Sequence, residues 1–248
     1  MNRFIPALLL ACVAGSVFGM GGAPVIIVGQ KMTSMTVEGT HAVMEMNSPT
    51  STVVGDKISS ERFMISARYG MLPNIDICGQ IGVASLTFRD LNAGYASYNA
   101  NWSPAWGADV RIGFPTKAQP FQVLAAVKYF GFNPRGSISN GQKTIESKYF
   151  WNEVTPTVTA GYAMGPFVPY VGVMKQYLFG QKEVSVALNG QHFEAAGGKT
   201  SYADGEQNYR EVLGLEWRGP DGYLVTAEAI AGPNGVLTLS LGLSQVIK

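Results

Sequence analysis

Two histidines, His41 and His192, are the side chains of this sequence best suited to act as a general base near neutral pH. His41 falls in phase with the apolar residues of an alternating segment, so we expect it to face lipid or headgroups rather than a catalytic cleft. His192 lies in a long polar loop without a catalytic motif around it. The sequence therefore predicts no catalytic residue, and a hydrolase is the weakest of three functional hypotheses.

Metal and cofactor sites are not predicted either. The spacing that His, Asp, Glu or Cys ligands need does not occur, and the polar run 204–206 is typical of a solvated turn rather than a calcium site. The run 197–200 resembles the end of a phosphate-binding loop but lacks the upstream glycine spacing and the following helix. Cys78, the only thiol of the expected mature chain, fits a small residue packed towards the interior.

Charged residues alternate with apolar ones in many segments. In one of them, Arg62 and Arg68 share a face with Ser66, while Phe63 and Ile65 occupy the other. If the polar faces point inward, the interior holds the following charged residues: Glu38, Arg62, Arg68, Asp76, Asp109, Arg111, Lys128, Glu153, Arg210, Glu216 and Glu228. Acids and bases nearly cancel in this set. Because unpaired charges in a narrow interior are costly, we expect a network of ion pairs that fills it.

These residues are carried by ten predicted strands, near the ~9 to 11 residues of a tilted membrane strand or longer. Their predicted bounds are 32–46, 60–71, 75–88, 105–114, 121–132, 149–163, 167–179, 207–217, 223–231 and 236–247. The register of 167–179 is ambiguous, so Lys175 is left unassigned, and Pro156 and Pro169 suit bulges or strand ends. Segments 183–188 and 191–194 are expected to pair as a small hairpin that extends the wall.

Short turns alternate with long loops, and aromatic residues flank the short turns. These aromatics are Tyr69, Phe114, Phe121, Tyr162, Phe167, Trp217 and Tyr223. Aromatic rings favour the membrane interface, so the pattern predicts one rim of a membrane barrel with short turns in the periplasm and long loops outside. A soluble β-sandwich would also alternate, with its apolar faces inside. The paired aromatics and the export signal favour the barrel.

Residues 1–19 read as a cleaved secretory signal peptide, with Arg3 before an apolar stretch and a small-residue cleavage site at Gly19. Lipidation of Cys12 is an alternative. We expect residues 20–31 to form a short periplasmic segment and residues 32–248 to form the barrel. No later run approaches the ~20 apolar residues of a membrane helix, so any membrane passage must be made by strands.

The predicted fold is all-β: a closed antiparallel up-and-down transmembrane β-barrel of ten strands, with eight or twelve as alternatives. At this size the lumen is closed or very narrow. A formal net charge of +1 and the lack of a basic stripe give no reason to expect nucleic acid.

The export signal, the turn Tyr69–Asn74, the run Gly165–Tyr170 and the closing Leu-x-Leu-x-Leu strand resemble small bacterial outer-membrane barrels of the OmpA-like type. The resemblance spans nearly the whole mature chain. Such proteins usually end in an aromatic residue, whereas this chain ends Val246-Ile247-Lys248. The resemblance implies an outer-membrane location in a Gram-negative-type bacterium.

The leading hypothesis is a structural or surface-interaction barrel that acts through its outer loops, 89–104 and 180–206, which are rich in aromatics. Its expected partners are outer-membrane lipid and a surface ligand or neighbouring envelope protein. The alternative is a narrow pore for small solutes or ions, which needs the interior charges to line a path. Neither hypothesis requires a cofactor.

Overall fold

The computed structural model describes residues 27, 29–45, 57–90, 96–114, 120–139, 143–188, 191–193, 199–204, 209–232 and 237–247. Almost all of them lie in β-strands, and a single 3-10 turn covers Pro220–Gly222. Within these ranges no helix combines the length and the apolar character needed to cross a bilayer.

Sixteen strands follow one another along the described chain. Their bounds are β1 Thr33–Glu45, β2 Lys57–Leu72, β3 Ile75–Ala84, β4 Thr87–Asp90, β5 Ala96–Asn99, β6 Ser103–Phe114, β7 Phe121–Phe132, β8 Arg135–Ser139, β9 Lys143–Tyr162, β10 Phe167–Met174, β11 Tyr177–Leu188, β12 Gln191–Phe193, β13 Lys199–Asp204, β14 Arg210–Arg218, β15 Tyr223–Ala231 and β16 Leu237–Ile247.

Ten of these strands close into a ring. The ring runs through β1, β2, β3, β6, β7, β9, β10, β14, β15 and β16, and it closes because β1 pairs with both β2 and β16. All neighbours are antiparallel. The predicted closed antiparallel ten-stranded barrel is confirmed, and the eight- and twelve-stranded alternatives are wrong.

The period-two pattern sets which side chains face inward. In β3, Asp76 and Cys78 are buried, while Ile77 and Ile81 between or beyond them are exposed on the outer wall. β6 repeats the pattern, with buried Asp109 and exposed Val110. Since successive side chains of a strand point to opposite faces, one polar residue inside fixes the orientation of its whole strand.

The two ends of the barrel differ. The turn end holds the short connections after β2, β9 and β14 together with both termini of the ring. At the loop end the wall continues as the loop-end sheet, defined as β8, β11, β12 and β13 built onto the long strand β9. The predicted hairpin is present as β11 pairing with β12. β4 and β5 form a further hairpin. It begins in the last residues of the predicted strand 75–88 and otherwise lies within the predicted loop 89–104.

The seventh predicted strand is two strands in the structure. β10 pairs with β9 up to Met174, and β11 resumes the pairing at Tyr177 opposite Val154. Pro156 lies opposite this break, and its carbonyl accepts a bond from the Lys175 amide at 3.1 Å. Proline has no backbone N–H to donate to a neighbouring strand, so a break opposite Pro156 leaves no amide of Pro156 without an acceptor.

Candidate functional site in the barrel lumen

A buried ion pair crosses the lumen on the loop-end side of its middle. Arg62 of β2 and Glu153 of β9 form a bidentate pair, with Arg62 Nη1 donating to Glu153 Oε2 at 3.0 Å and Arg62 Nη2 donating to Oε1. Trp151 Nε1 also donates to Oε1, at 2.6 Å. The Arg62 guanidinium lies 4.2 Å from the centroid of the Phe130 ring. Two side chains that are 2% and 4% exposed are thus held by charge, hydrogen bonds and an aromatic face.

Above this pair an apolar plug fills the loop end of the lumen. Its rings contact one another, with centroids 5.4 Å apart for Phe130 and Phe132 and 6.1 Å apart for Phe132 and Trp151. The plug comprises the buried residues Ile58, Met64, Ala84, Leu86, Ala100, Ala105, Phe130, Phe132, Tyr149, Trp151 and Leu178. Among the described residues, large buried rings therefore pack across the interior at this level, as expected for a barrel of this strand number.

A second charged cluster lies nearer the turn end. Asp109 of β6 accepts from Arg68 Nη1 and Nη2 at 3.1 and 3.2 Å, and from Arg111 Nε at 3.1 Å. All three side chains are at least nine-tenths buried. Asp76 is the strand neighbour of Arg111, and Lys128 is the strand neighbour of Asp109. This side of the lumen therefore holds three bases, Arg68, Arg111 and Lys128, around two acids, Asp76 and Asp109.

The wall on β1, β14 and β15 carries acids. Glu38, Glu216 and Glu228 all face the interior here, and Tyr170 of β10 donates its hydroxyl to Glu228 Oε2 at 2.9 Å. Arg218 Nε lies 3.4 Å from Glu216 Oε1. Because the bases concentrate around β2 and β6, charge is distributed unevenly around the lumen.

Between the two walls lies a cavity of about 100 Å³. Its lining combines charged side chains from both walls with small hydroxyl residues, and comprises Ser34, Thr36, Glu38, Ser66, Arg68, Arg111, Glu216, Leu224, Thr226, Glu228, Ser240, Gly242, Ser244 and Val246. The lumen is thus plugged at the loop end and hollow nearer the turn end.

The chain before β1 enters the turn end of the lumen. Ile27 packs against Leu124 and Ala126 on the inner face of β7. A Cβ placed on Gly113 would come within 2.8 Å of Ile27 Cγ1, and one placed on Gly70 would come within 1.8 Å of the Gly29 carbonyl oxygen. These two inward glycines leave the room in which the segment sits, and the Lys31 amide fixes it by donating to the Gly70 carbonyl at 2.8 Å.

The remaining predicted site residues lie as follows. Arg210 is buried, with Nη1 3.5 Å from the Val43 carbonyl oxygen. The interface aromatics stand on the outer wall at the turn end, and those exposed by 36% to 51% are Tyr69, Phe114, Phe121, Tyr162, Phe167 and Trp217. Tyr223 is partly buried beside them. His41 lies on the outer wall, with Nδ1 2.5 Å from Glu61 Oε1.

Sequence reasoning missed four lumen residues that contact the charges. Phe130 and Trp151 could have been found from strand parity, since Trp151 has the parity of Glu153 and Phe130 that of Lys128. Tyr170 could not, because the register of 167–179 is ambiguous in the sequence. Arg218 falls just outside the predicted strand 207–217, but in the structure it ends β14 and its side chain reaches Glu216. Lys175 is now placed on the outer side of the wall, its Nζ 5.1 Å from the Tyr177 ring centroid. Among the described residues, no group of three or more His, Cys, Asp or Glu could hold a metal ion.

No protein-family model matches the chain, and no curated protein matches it. Solved structures do. The translocator domain of the autotransporter NalP from Neisseria meningitidis has a TM-score of 0.52 and 12% identity, covering 98% of this chain and 94% of that one. The transport unit of the autotransporter AIDA-I from Escherichia coli has a TM-score of 0.49 and 12% identity, with coverages of 97% and 96%.

A third similar structure is an outer membrane channel from Pseudomonas putida F1, with a TM-score of 0.43, 9% identity, and coverage of 92% of this chain and all of that one. These identities carry information on fold alone. The closed ring of ten antiparallel strands with an apolar outer wall is therefore a transmembrane-type β-barrel fold, and the NalP translocator domain shares it.

Proposed function

We propose that this protein is a structural and surface-interaction barrel of the outer membrane, of the small OmpA-like kind. Its lumen is filled by its own side chains, and its loop-end sheet meets lipid headgroups, a surface ligand or a neighbouring envelope protein. The observation that carries the proposal is the apolar plug above the Arg62–Glu153 pair. A barrel closed in this way offers its outer surface, rather than its lumen, to partners.

The loop end also presents aromatic side chains to the surroundings. Trp102 is 56% exposed just before β6, and Tyr209 is 71% exposed just before β14. Large amphipathic rings are enriched where proteins recognise partners, and they are costly to leave in water. Beside Tyr209, the Lys175 Nζ lies 5.5 Å from the ring centroid, so this patch joins a positive charge to an aromatic face.

Single-channel recording tests the closed lumen. The chain 20–248, refolded into a planar lipid bilayer, is expected to carry no steady current. Replacing Phe132 and Trp151 together by alanine removes two plug rings and should produce discrete openings. The matched control is Trp106→Ala, because Trp106 is a ring of comparable size on the outer wall, 40% exposed. Steady current through the unaltered chain would contradict the proposal.

Photo-crosslinking tests the surface role. A photoreactive phenylalanine in place of Tyr209 should capture a lipid headgroup or an envelope protein in intact cells. The same group in place of Tyr69, on the outer wall at the turn end, is the control. Capture of the same species in equal yield from both positions would argue against recognition by the loop end.

A narrow pore is the second candidate, favoured by the charged cavity nearer the turn end. A steady current through the unaltered chain that changes on Arg111→Ala would support it. We propose no catalytic role, since His41 lies on the outer wall of the barrel with Glu61 and not in the lumen. Substituting both His41 and His192 by alanine should leave the cellular phenotype unchanged, and a changed phenotype would favour an enzyme.

A further inference from the structure

The cavity in the lumen contains acceptors that no donor of the described structure reaches. One is Glu216 Oε2, on a residue without exposed surface, and another is Glu38 Oε1. Both residues line the cavity. A buried carboxylate oxygen without a hydrogen-bond partner carries a large desolvation cost. Two acceptors of the lining are therefore left without a donor, although arginines and hydroxyl groups lie in the same lining.

The two carboxylates stand in one row across the wall. Glu38 is the strand partner of Gly242, Gly242 of Thr226, and Thr226 of Glu216. Gly242 contributes no side chain between them, and a Cβ added there would meet only Thr36 Cγ2, at 3.7 Å. Thr226, the other residue of the row between the two acids, lines the cavity with its side chain. The space in front of Gly242 is therefore open to a small guest.

The neighbouring bases are already engaged. Arg68 and Arg111 both donate to Asp109, which does not line the cavity, and Arg218 lies against the other oxygen of Glu216. Glu228 adds a third acid to the same lining. The lining thus has three carboxylates, and one oxygen each of Glu38 and Glu216 remains without a hydrogen-bond donor.

We propose that this cavity binds a small monovalent cation, either an alkali ion with part of its water shell or a primary ammonium group. At roughly 10–15 Å³ for each water, a volume of about 100 Å³ holds several waters or a few heavy atoms. The hydroxyls of Ser34, Ser240 and Ser244 line the same space and supply neutral ligands. The described carboxylates do not converge as a tight metal site requires, which suits a singly charged, partly hydrated guest.

Urea unfolding of the refolded barrel in uncharged detergent tests the site. Chloride concentration is held constant while N-methylglucamine, too large for the cavity, is exchanged for rubidium in one series and for methylammonium in another. A ligand that binds only the folded state raises the unfolding midpoint in a saturable way. We expect such a rise with at least one of the two cations, and the series that shows it identifies an alkali ion or an ammonium as the guest.

Glu216→Gln and Glu38→Gln keep the shape of the side chains and remove the charge. Each should weaken the apparent affinity at least tenfold. Glu61→Gln is the matched control, because Glu61 lies on the outer wall beside His41. Gly242→Leu fills the open space and should abolish the cation-dependent rise of the unfolding midpoint. It provides a second test if one of the glutamine variants refolds poorly. No rise with either cation, or an equal rise in wild type, Glu216→Gln and Gly242→Leu, would overturn the proposal.

Discussion

Removing the charge of Glu153 should destabilise the barrel more than any surface change. Glu153→Gln keeps an oxygen to accept from Trp151 Nε1 but leaves the Arg62 guanidinium buried without its counter-charge. Breaking a buried pair from one side costs roughly 3–5 kcal/mol. With a guanidinium slope of about 2–6 kcal/mol per M, the unfolding midpoint should fall by on the order of 1 M.

A double-mutant cycle separates the pair from its surroundings. Arg62→Met/Glu153→Gln removes both charges, so it should be more stable than Glu153→Gln alone, and the coupling energy should exceed about 1 kcal/mol. Tryptophan fluorescence during guanidinium unfolding in detergent micelles gives the free energies. The control cycle uses Lys148→Met and Glu183→Gln, whose charged atoms are 3.9 Å apart and about a third exposed, and it should show less than about 1 kcal/mol.

Two results would refute this reasoning. The first is a loss of less than about 1 kcal/mol in Glu153→Gln. The pair would then not be removed from water, although its two side chains are only 2% and 4% exposed. If the two single substitutions were additive, Arg62 would be held by the Phe130 ring and its other contacts instead of by Glu153.

Three further changes test other parts of the lumen. Gly70→Ala should expel the segment before β1 and lower the unfolding midpoint, because its Cβ would lie 1.8 Å from the Gly29 carbonyl, whereas Gly79→Ala, with nothing within 4 Å, should be neutral. Gly214→Ala should displace the Tyr170 ring, whose Cζ would lie 2.0 Å from the new Cβ, and cost about 1–3 kcal/mol in urea unfolding as the buried hydroxyl loses its partner. Cys78, a buried free thiol, should resist a bulky maleimide in the folded barrel and react after denaturation, as a mass shift will report; rapid labelling of the folded barrel would contradict the inward placement.

The side chains that face the lumen could be predicted for most strands, because inward polar residues alternate with outward apolar ones along each strand. The sequences of β2 and β6 place charged residues in phase with Ser66 and Gly107, so the inner face is legible without coordinates. Two aromatic residues follow the alternation but not the expectation that inward side chains are polar. Phe130 and Trp151 are apolar yet face the lumen, because the loop end is filled by packing rather than by water.

Other features depend on contacts between distant parts of the chain. The break between β10 and β11 follows from how β9 continues beyond Pro156, which neither segment encodes alone. The entry of Ile27 into the lumen depends on glycines at positions 70 and 113, each in a different strand. The uneven distribution of acids and bases follows from ring order, since Glu38 and Glu216 share one row of the wall only because β16 and β15 lie between β1 and β14.

The seam between β1 and β16 makes the barrel a late-closing structure. The first strand of the ring can satisfy its second edge only with the last, at a register that joins Thr33 to Ile247 and His41 to Leu239. Pairings between the ends of a chain carry the greatest loop-closure entropy, so this seam should form last. Until then β1 and the newest strand each present unpaired amides and carbonyls. A chain that stops short of residue 237 would keep two such edges permanently, which makes premature truncation a route to aggregation or strand exchange between copies.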